Sequence, residues 1–503
     1  MMAATNNQRS DGESESLLDV IRRAFTEFLW LPTVVILCFL GLAAGTYLLD
    51  RVGWSWLQPV NDFLRARIFT DVQATSQLLG TIASGLMTVT SVTISILLLA
   101  LQQSATAMTT EIFDQFLRRR HNQFYFGFFV GLALYALITL ATVNDPFNPV
   151  ISAMVAFCLT VVALFLLIVL LYTTINQMRP AEIVNTIHQH TLAARRRQLA
   201  LLAQTRRHSH YVGGVRHAVK AERRGMVTAI NADALKKVID KTGVPVEVVV
   251  KAPIGLYVAF HDEIAIVHAP TDEIAAAVGQ AVRSAIVLER QRDITRDPGY
   301  GIEQLTTIAW SSISSAKSDL APGLLTIYSL RDILARWSAE EKTEAQETDG
   351  APAPIVYQDH TFVQLMNALE SLAVVSSESM QHQIFAEVLR TFAYLFEQLP
   401  AAQQQHAEGI LCRLLSALGD HVLTNELDQA LSTLVSVLQQ QQRSETAATV
   451  AAAQTQFRHS IGVLHSRTTR AIEGKKRDEG EAEDAATEGE SAAAAVESPR
   501  FLA

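Results

Sequence analysis

Cysteine is scarce in this chain of 503 residues. The three cysteines, Cys38, Cys158 and Cys412, are far apart in the sequence, and no two of them form a CxxC pair. A disulfide scaffold needs a dense set of cysteines, and a zinc site needs them at short, fixed spacings. The sequence therefore excludes both frameworks, and we expect structural roles for the three thiols.

Charge is also limited and unevenly distributed. Asp, Glu, Lys and Arg make up 18% of the chain, whereas apolar residues make up 49%. The formal net charge of −9 sums a basic middle and an acidic end, so it says little by itself. A chain of this length predicts two or three domains, and the concentrated apolar residues are typical of a membrane protein.

Catalytic motifs are missing as well. Gly213-Gly214 lacks the Lys-Ser/Thr of a phosphate-binding loop, and neither GxSxG nor HExxH occurs. Two His-x-His pairs between residues 188 and 210 stand among arginines, where a metal cation binds poorly. The turn His261-Asp262-Glu263 is more typical of a solvated loop than of a site. We expect no enzymatic activity, no metal site and no cofactor.

Four apolar runs of bilayer length predict a four-span transmembrane domain over residues 29–172. A helix needs about 20 residues to cross a bilayer. We interpret the first run as an uncleaved span, because it is long for a signal peptide and no cleavage site follows it. The runs are Leu29–Leu49, Gln77–Gln102, Phe124–Val143 and Val150–Tyr172.

The second run carries a polar stripe. Its members recur mostly at steps of three and four residues, which places them within an arc of about 80° on a helix. They are Gln77, Thr81, Ser84, Thr88, Ser91, Ser95 and Gln102. A polar side chain facing lipid loses water and gains no partner, so the stripe should face protein or water. It is either a closely packed helix interface or a wet surface that lines a pore.

Basic residues predict the orientation of the spans. They precede the first run, and they also lie in the loop between the second and third runs and in the segment after the fourth run. The turn between the third and fourth runs has none, although the first loop carries three arginines. The positive-inside rule then predicts cytoplasmic termini. Six arginines either contact lipid headgroups or serve as topogenic charge on solvated helix faces. They are Arg118, Arg119, Arg120, Arg195, Arg196 and Arg197.

The remaining segments predict an α-helical membrane protein with a cytoplasmic α+β domain and a C-terminal helical array. Period-two runs predict strands at Met226–Ile230, Val244–Val250, Leu256–Phe260 and Ile264–Val267, followed by a helix over Thr271–Arg296. Helices are also predicted over Thr361–Leu399, Ala402–Asp420 and Asn425–Gln442. The predicted segments are a disordered or amphipathic N-terminus (1–28), a basic connector helix (173–224), the α+β domain (225–338), a linker (339–360), the helical array (361–470) and a disordered acidic tail (471–503).

Four blocks of sequence resemble a family of bacterial predicted membrane proteins, filed as domain of unknown function 2254. The blocks are LLGTIASGLMTVTSVTISILLLALQQSA (78–105), IFDQFLRRRHNQFYFGFFVGLALYAL (112–137), RGMVTAINADALKKV (224–238) and DPGYGIEQLTTIAWSSIS (297–314). The resemblance implies four spans followed by a cytoplasmic domain, and it implies no reaction. One departure concerns a Ser-Pro-Gly-Ile-Asn-Asp-Pro run of the family, of which residues 314–320 keep only Ser314 and Asp319.

Two functional hypotheses follow. The first is a non-enzymatic structural or regulatory protein of the bacterial inner membrane, whose cytoplasmic domain binds a ligand or protein. The alternative is a homo-oligomeric channel or transporter lined by the polar stripe. No charge lies inside any predicted span, which argues against ion-coupled transport but allows a passive pore. We expect the lipid bilayer and further copies of the chain as partners, and no nucleic acid, since no basic module with interleaved aromatics occurs.

Overall fold

A computed structural model gives the structure of most of the chain. It describes residues 29–52, 58–67, 69, 71–107, 120–145, 147–177, 179–211, 213–314, 319–344, 353–421 and 423–459. The chain divides into two compact units between Thr186 and Ile187. The predicted N-terminal segment 1–28 and acidic tail 471–503 lie outside the described residues.

The first unit contains the predicted spans. Among its described residues, four helices are long and apolar enough to cross a membrane, which confirms the four predicted apolar helices. The described helices of this unit are α1 (Trp30–Val52), the short α2 (Gln58–Arg67), α3 (Val72–Ala107), α4 (Arg120–Thr142) and α5 (Val150–Gln177). Helix α4 is the most buried of the four spans and packs against α1, α3 and α5.

Two glycines allow α1 and α4 to approach closely. A Cβ atom on Gly127 would lie 2.8 Å from the Cα of Pro32, and one on Gly131 would lie 2.5 Å from the ring of Phe39. The two glycines are four residues apart and therefore share one face of α4. Small residues at this spacing let membrane helices pack backbone to backbone.

The predicted connector helix differs from the structure. Helix α6 (Pro180–Leu202) begins at a proline, which is favoured at the first position of a helix, and ends long before residue 224. Gly213 and Gly214 then adopt positive φ angles of 91° and 79°. Strand β1 (Val215–Lys220) follows them, with side chains that alternate between the interior and solvent.

In the described part of the second unit, seven strands form two sheets, where about four strands were predicted. They are β1, β2 (Gly225–Ile230), β3 (Glu247–Val250), β4 (Tyr257–Val258), β5 (Glu263–Ala269), β6 (Ile286–Glu289) and β7 (Ile355–Val356). One sheet has the order β1-β5-β3-β7 and the other β4-β2-β6. Strands β3 and β7 are parallel, and the other pairs are antiparallel.

Helices α7 (Ala232–Thr242) and α8 (Asp272–Ala285) contribute to the core of these sheets. The prediction of a helix over Thr271–Arg296 is wrong in its second half. The observed helix ends at Ala285, and Ile286–Glu289 pairs with β2 as a strand. This short apolar run is too brief to be assigned from periodicity alone.

The helical part begins earlier than predicted. Helix α9 (Pro298–Ser314) packs against α10 (Ala321–Glu344) and α11 (Thr361–Glu378), so helices assigned to the α+β domain belong with the array. The predicted helix Thr361–Leu399 is two helices, because Met380 has a positive φ of 55°. The remaining helices are α12 (His382–Gln398), α13 (Ala401–Leu414), a 3₁₀ turn (Leu415–Asp420), α14 (Asn425–Gln440) and α15 (Ser444–His459).

Candidate functional site

The polar stripe of α3 faces away from the other described helices of the first unit. The opposite face of α3 is buried and consists of Thr75, Leu79, Ile82, Ala83 and Leu86. All seven stripe residues are exposed: Gln77, Thr81, Ser84, Thr88, Ser91, Ser95 and Gln102. The larger aliphatic side chains therefore make the contacts within the chain. A packed interface between the stripe and another described span of the same chain is not present.

Most stripe hydroxyls are satisfied by their own helix. Thr81 donates to the carbonyl oxygen of Gln77 at 2.8 Å, and Thr88 donates to that of Ser84 at 2.9 Å. Ser84 and Ser95 make the same bond to the carbonyl four residues earlier. Such bonds reduce the penalty of placing a hydroxyl in hydrocarbon. The stripe can therefore exist outside water, and its small side chains leave room for a neighbouring helix.

The structure buries an ionisable residue that the sequence analysis placed outside the spans. Helix α1 continues past Leu49 to Val52, and Asp50 is only 7% exposed. The expectation that no charge lies inside a span is therefore wrong at this end of α1. The sequence could have indicated this, since neither proline nor glycine occurs between Leu49 and Gly53 to end the helix.

The Asp50 carboxylate caps the first turn of α5. Its Oδ1 accepts from the backbone N–H of Ile151 at 2.9 Å, and its Oδ2 accepts from the N–H of Ser152 at 2.9 Å. The Ser152 hydroxyl donates to the same Oδ2 at 2.6 Å. The N-terminus of a helix carries unpaired N–H groups and a partial positive charge, which a carboxylate satisfies. The group is fully engaged, which is typical of a structural cap rather than a carrier of protons.

A hydroxyl network adjoins this cap. The Tyr135 hydroxyl donates to the carbonyl oxygen of Ser152 at 3.0 Å and lies 3.1 Å from the Thr46 hydroxyl. Tyr135 and Thr46 are both buried. The network therefore joins α1, α4 and α5 through polar contacts that lipid would not otherwise support.

Arg195 does not contact lipid headgroups, contrary to the prediction. It is 4% exposed, and its guanidinium lies 2.9 Å from Glu340 Oε2 and 2.7 Å from Asp359 Oδ2. The guanidinium also donates to Gln198 Oε1, and the indole N–H of Trp337 donates to Asp359. A buried charge has to be paired in this way, so Arg195 serves the interior of the second unit.

The pairing also changes the acidity of Asp359. Burial by itself raises the pKa of a carboxyl group. Here Arg195 and hydrogen bonds from Thr361 outweigh burial and hold the pKa of Asp359 below its usual value. The carboxylate therefore stays ionised inside the second unit.

The other arginines divide into three groups. Arg120 and Arg196 are exposed, and a lipid contact there stays a prediction. Arg197 is also exposed and donates to the carbonyl oxygen of Thr295 at 2.7 Å. Arg118 and Arg119 lie outside the described residues.

The histidines that the sequence analysis considered as possible site residues have structural roles where the structure describes their contacts. His188 lies 3.1 Å from Asp332, and burial lowers the pKa of His188 despite this carboxylate. Within the described parts of the chain, no group of three or more His, Cys, Asp or Glu is arranged to hold a metal ion. His261 occupies a tight turn with a positive φ of 70°.

Two open cavities lie in the second unit. One, of about 530 Å³, is lined by residues that include Arg206, His210, Asp240 and Glu247. The buried Glu247 accepts from the backbone N–H of His210 at 3.0 Å, so it is engaged. The other, of about 590 Å³, lies at the N-terminal ends of α12 and α14.

Comparison with known proteins gives one match. A protein family described as "Predicted membrane protein (DUF2254)" matches residues 26–392, which includes all four spans, both sheets, α9 to α11 and part of α12. No curated protein and no solved structure matches the chain.

Proposed function

Because the chain belongs to the DUF2254 family of predicted membrane proteins, we propose that it is a non-enzymatic, self-associating protein of the bacterial inner membrane. Its second unit lies in the cytoplasm and binds a ligand or protein partner. The observation that carries this proposal is the outward orientation of the polar stripe on α3. A second copy of the chain is the occupant of that face.

The chemistry of the stripe suits contact between copies. Thr81, Ser84, Thr88, Ser91 and Ser95 are small, and they repeat at three- and four-residue steps along one face. Facing helices with this pattern approach closely, because small side chains let the two backbones pack together. Identical stripes related by a symmetry axis meet at equivalent positions in each copy.

A channel is the second candidate function, and the length of the stripe favours it. Uncharged hydroxyl and amide groups extend from Gln77 to Gln102, about the thickness of a bilayer. Three or more copies with their stripes around one axis would enclose a polar path for an uncharged or weakly selected solute. Asp50 is engaged in a helix cap, which argues against a role in ion-coupled transport.

Disulfide cross-linking in native membranes tests self-association. The three native cysteines are first replaced by serine, and single cysteines are then introduced at Ser84, Thr88 or Ser91. Oxidation is expected to give a covalent dimer from each of these variants. Cysteines at Ile82 and Leu86, which are buried against the same chain, provide matched controls and should remain monomeric. Equal cross-linking at both sets, or none at either, would contradict the proposal.

A membrane-impermeant thiol reagent then separates the channel from a dry interface. Labelling at positions 84, 88, 91 and 95, with none at 82 and 86, would favour a water-filled path. Cross-linking without labelling would support self-association and rule out the channel.

A further inference from the structure

Two turns of the second unit form one exposed surface, which we call the basic-aromatic tip. It comprises residues 220–224 and 256–262. The backbone N–H of Ala221 donates to the carbonyl oxygen of Asp262 at 2.9 Å, and that of His261 donates to the carbonyl oxygen of Ala221 at 3.0 Å. Gly225 lies opposite Val258 in the β2–β4 pair. The two turns are therefore held together by backbone bonds.

Large apolar side chains point outward from the tip. Leu256, Tyr257 and Phe260 are 45%, 54% and 64% exposed. Single exposed apolar residues are normal, but three within five positions form a patch. Exposed apolar patches of this kind mark surfaces that bind a partner or a membrane.

The backbone presents Phe260 in a fixed position. His261 has a φ of 70°, a left-handed conformation that is uncommon outside glycine and is maintained only where its surroundings impose it. The Asp262 carboxylate accepts from the backbone N–H of Ala259 at 2.7 Å, and the His261 ring packs edge-on to Phe260 at 4.2 Å. Such a turn presents the aromatic ring outward at little entropic cost on binding.

Positive charge accompanies the apolar residues. Arg223 and Arg224 are exposed at the tip, as is Lys220. Two neighbouring carboxylates pair with other arginines, Glu222 with Arg283 at 3.1 Å and Glu263 with Arg216 at 3.7 Å. The guanidinium groups of Arg223 and Arg224 form no ion pair among the described residues, so they are available to an anionic partner.

We infer that the basic-aromatic tip binds the surface of an anionic lipid bilayer. Aromatic side chains favour the interface between headgroups and acyl chains, and each arginine near an anionic leaflet adds attraction. The chain carries its own spans, so a bilayer is always present at high effective concentration. Contact between the tips of two copies is disfavoured, because it would bring like-charged arginines together. This inference is independent of the proposed self-association.

Fluorescence of the full-length protein in lipid nanodiscs tests this inference. In a cysteine-free background, Phe260→Cys or Tyr257→Cys is labelled with an environment-sensitive dye. The discs contain phosphatidylcholine alone or phosphatidylcholine with phosphatidylglycerol, and a fraction of the lipid carries a nitroxide on its headgroup. The matched control is a dye at Lys236→Cys, an exposed position on α7 of the same unit.

The expected result is a blue shift and nitroxide quenching at positions 257 and 260 in the anionic discs, with neither at 236. Adding Arg223→Glu and Arg224→Glu should abolish the quenching while leaving the control dye unchanged. No quenching in anionic discs would overturn the inference. A blue shift without nitroxide quenching would also overturn it and would indicate contact with a second copy.

Discussion

The Asp50 Oδ2 atom lies 2.6 Å from the Ser152 hydroxyl, although the two residues are 102 positions apart in the chain. This contact joins the end of α1 to the start of α5. Because Asp50 also accepts two backbone N–H groups, one carboxylate satisfies much of the first turn of the last span. One carboxyl side chain thus joins the first span to the fourth.

Replacing Asp50 should destabilise the first unit. Asp50→Ala leaves the N–H groups of Ile151 and Ser152 without an acceptor, which costs about 1–3 kcal/mol for a buried unsatisfied group. Unfolding by sodium dodecyl sulfate in mixed micelles measures the loss. Asp62→Ala is the control, because Asp62 is exposed on α2. Equal unfolding midpoints for both variants would contradict the capping role.

The close contact between α1 and α4 predicts that Gly127→Ala and Gly45→Ala change the stability of the first unit by different amounts. In Gly127→Ala the new methyl group would collide with the backbone of Pro32, which cannot rotate away. Overpacking of this kind costs about 1–3 kcal/mol. In Gly45→Ala the methyl group meets no atom within 4 Å, so stability should be unchanged or slightly raised. The same micelle titration compares the two, and a neutral Gly127→Ala would refute the close approach.

The buried ion pairs of Arg195 predict that Arg195→Ala lowers the stability of the second unit much more than Arg196→Ala does. Arg195→Ala leaves Glu340 and Asp359 without their cation, and breaking such a buried pair costs about 3–5 kcal/mol. Arg196→Ala removes an exposed side chain and should change stability by less than about 0.5 kcal/mol. Limited proteolysis and thermal unfolding of the second unit report the difference. Similar melting temperatures for the two variants would argue against the interior role of Arg195.

His188 predicts a dependence of stability on pH. Burial, partly opposed by Asp332, lowers the pKa of His188 below 6.5 in the folded state, so the unfolded state binds the proton more tightly. The stabilisation is complete above pH 6.5 and is lost as the pH falls through that value towards the folded pKa. We expect the melting temperature to fall between about pH 8 and about pH 5, and to fall less in His188→Gln. His208→Gln, at an exposed position, should keep the wild-type pH dependence.

The four spans could be predicted because run length and the absence of charge determine them directly. The direction in which the stripe faces could not, because the sequence does not state which face of α3 meets α4. The packing of Leu79, Ile82 and Leu86 decides it. Asp50 was missed for a related reason: a charge at the end of an apolar run has the same pattern whether it meets water or caps a distant helix.

Local composition hides the structure in two further places. The basic residues around β1 concealed an alternating strand pattern, and three consecutive arginines on α6 were treated as equivalent. The buried positions Ile187, Thr191, Ala194 and Gln198 mark one face of α6. Arg195 belongs to that face, since it lies four residues after Thr191 and three residues before Gln198. This spacing is visible in the sequence and could have predicted its burial. Its partners Glu340 and Asp359 are distant in sequence and could not be predicted from it.

Strand β7 determines where a fragment containing the two sheets can end. It follows α9 and α10 in the chain, yet it lies parallel to β3, with Val248 opposite Ile355 and Val249 opposite Val356. A fragment that stops near residue 340 would leave the β3 edge of its sheet open to pairing with another molecule. Expression of the sheets as a soluble piece therefore requires the chain at least through Tyr357, whose buried ring belongs to the same core.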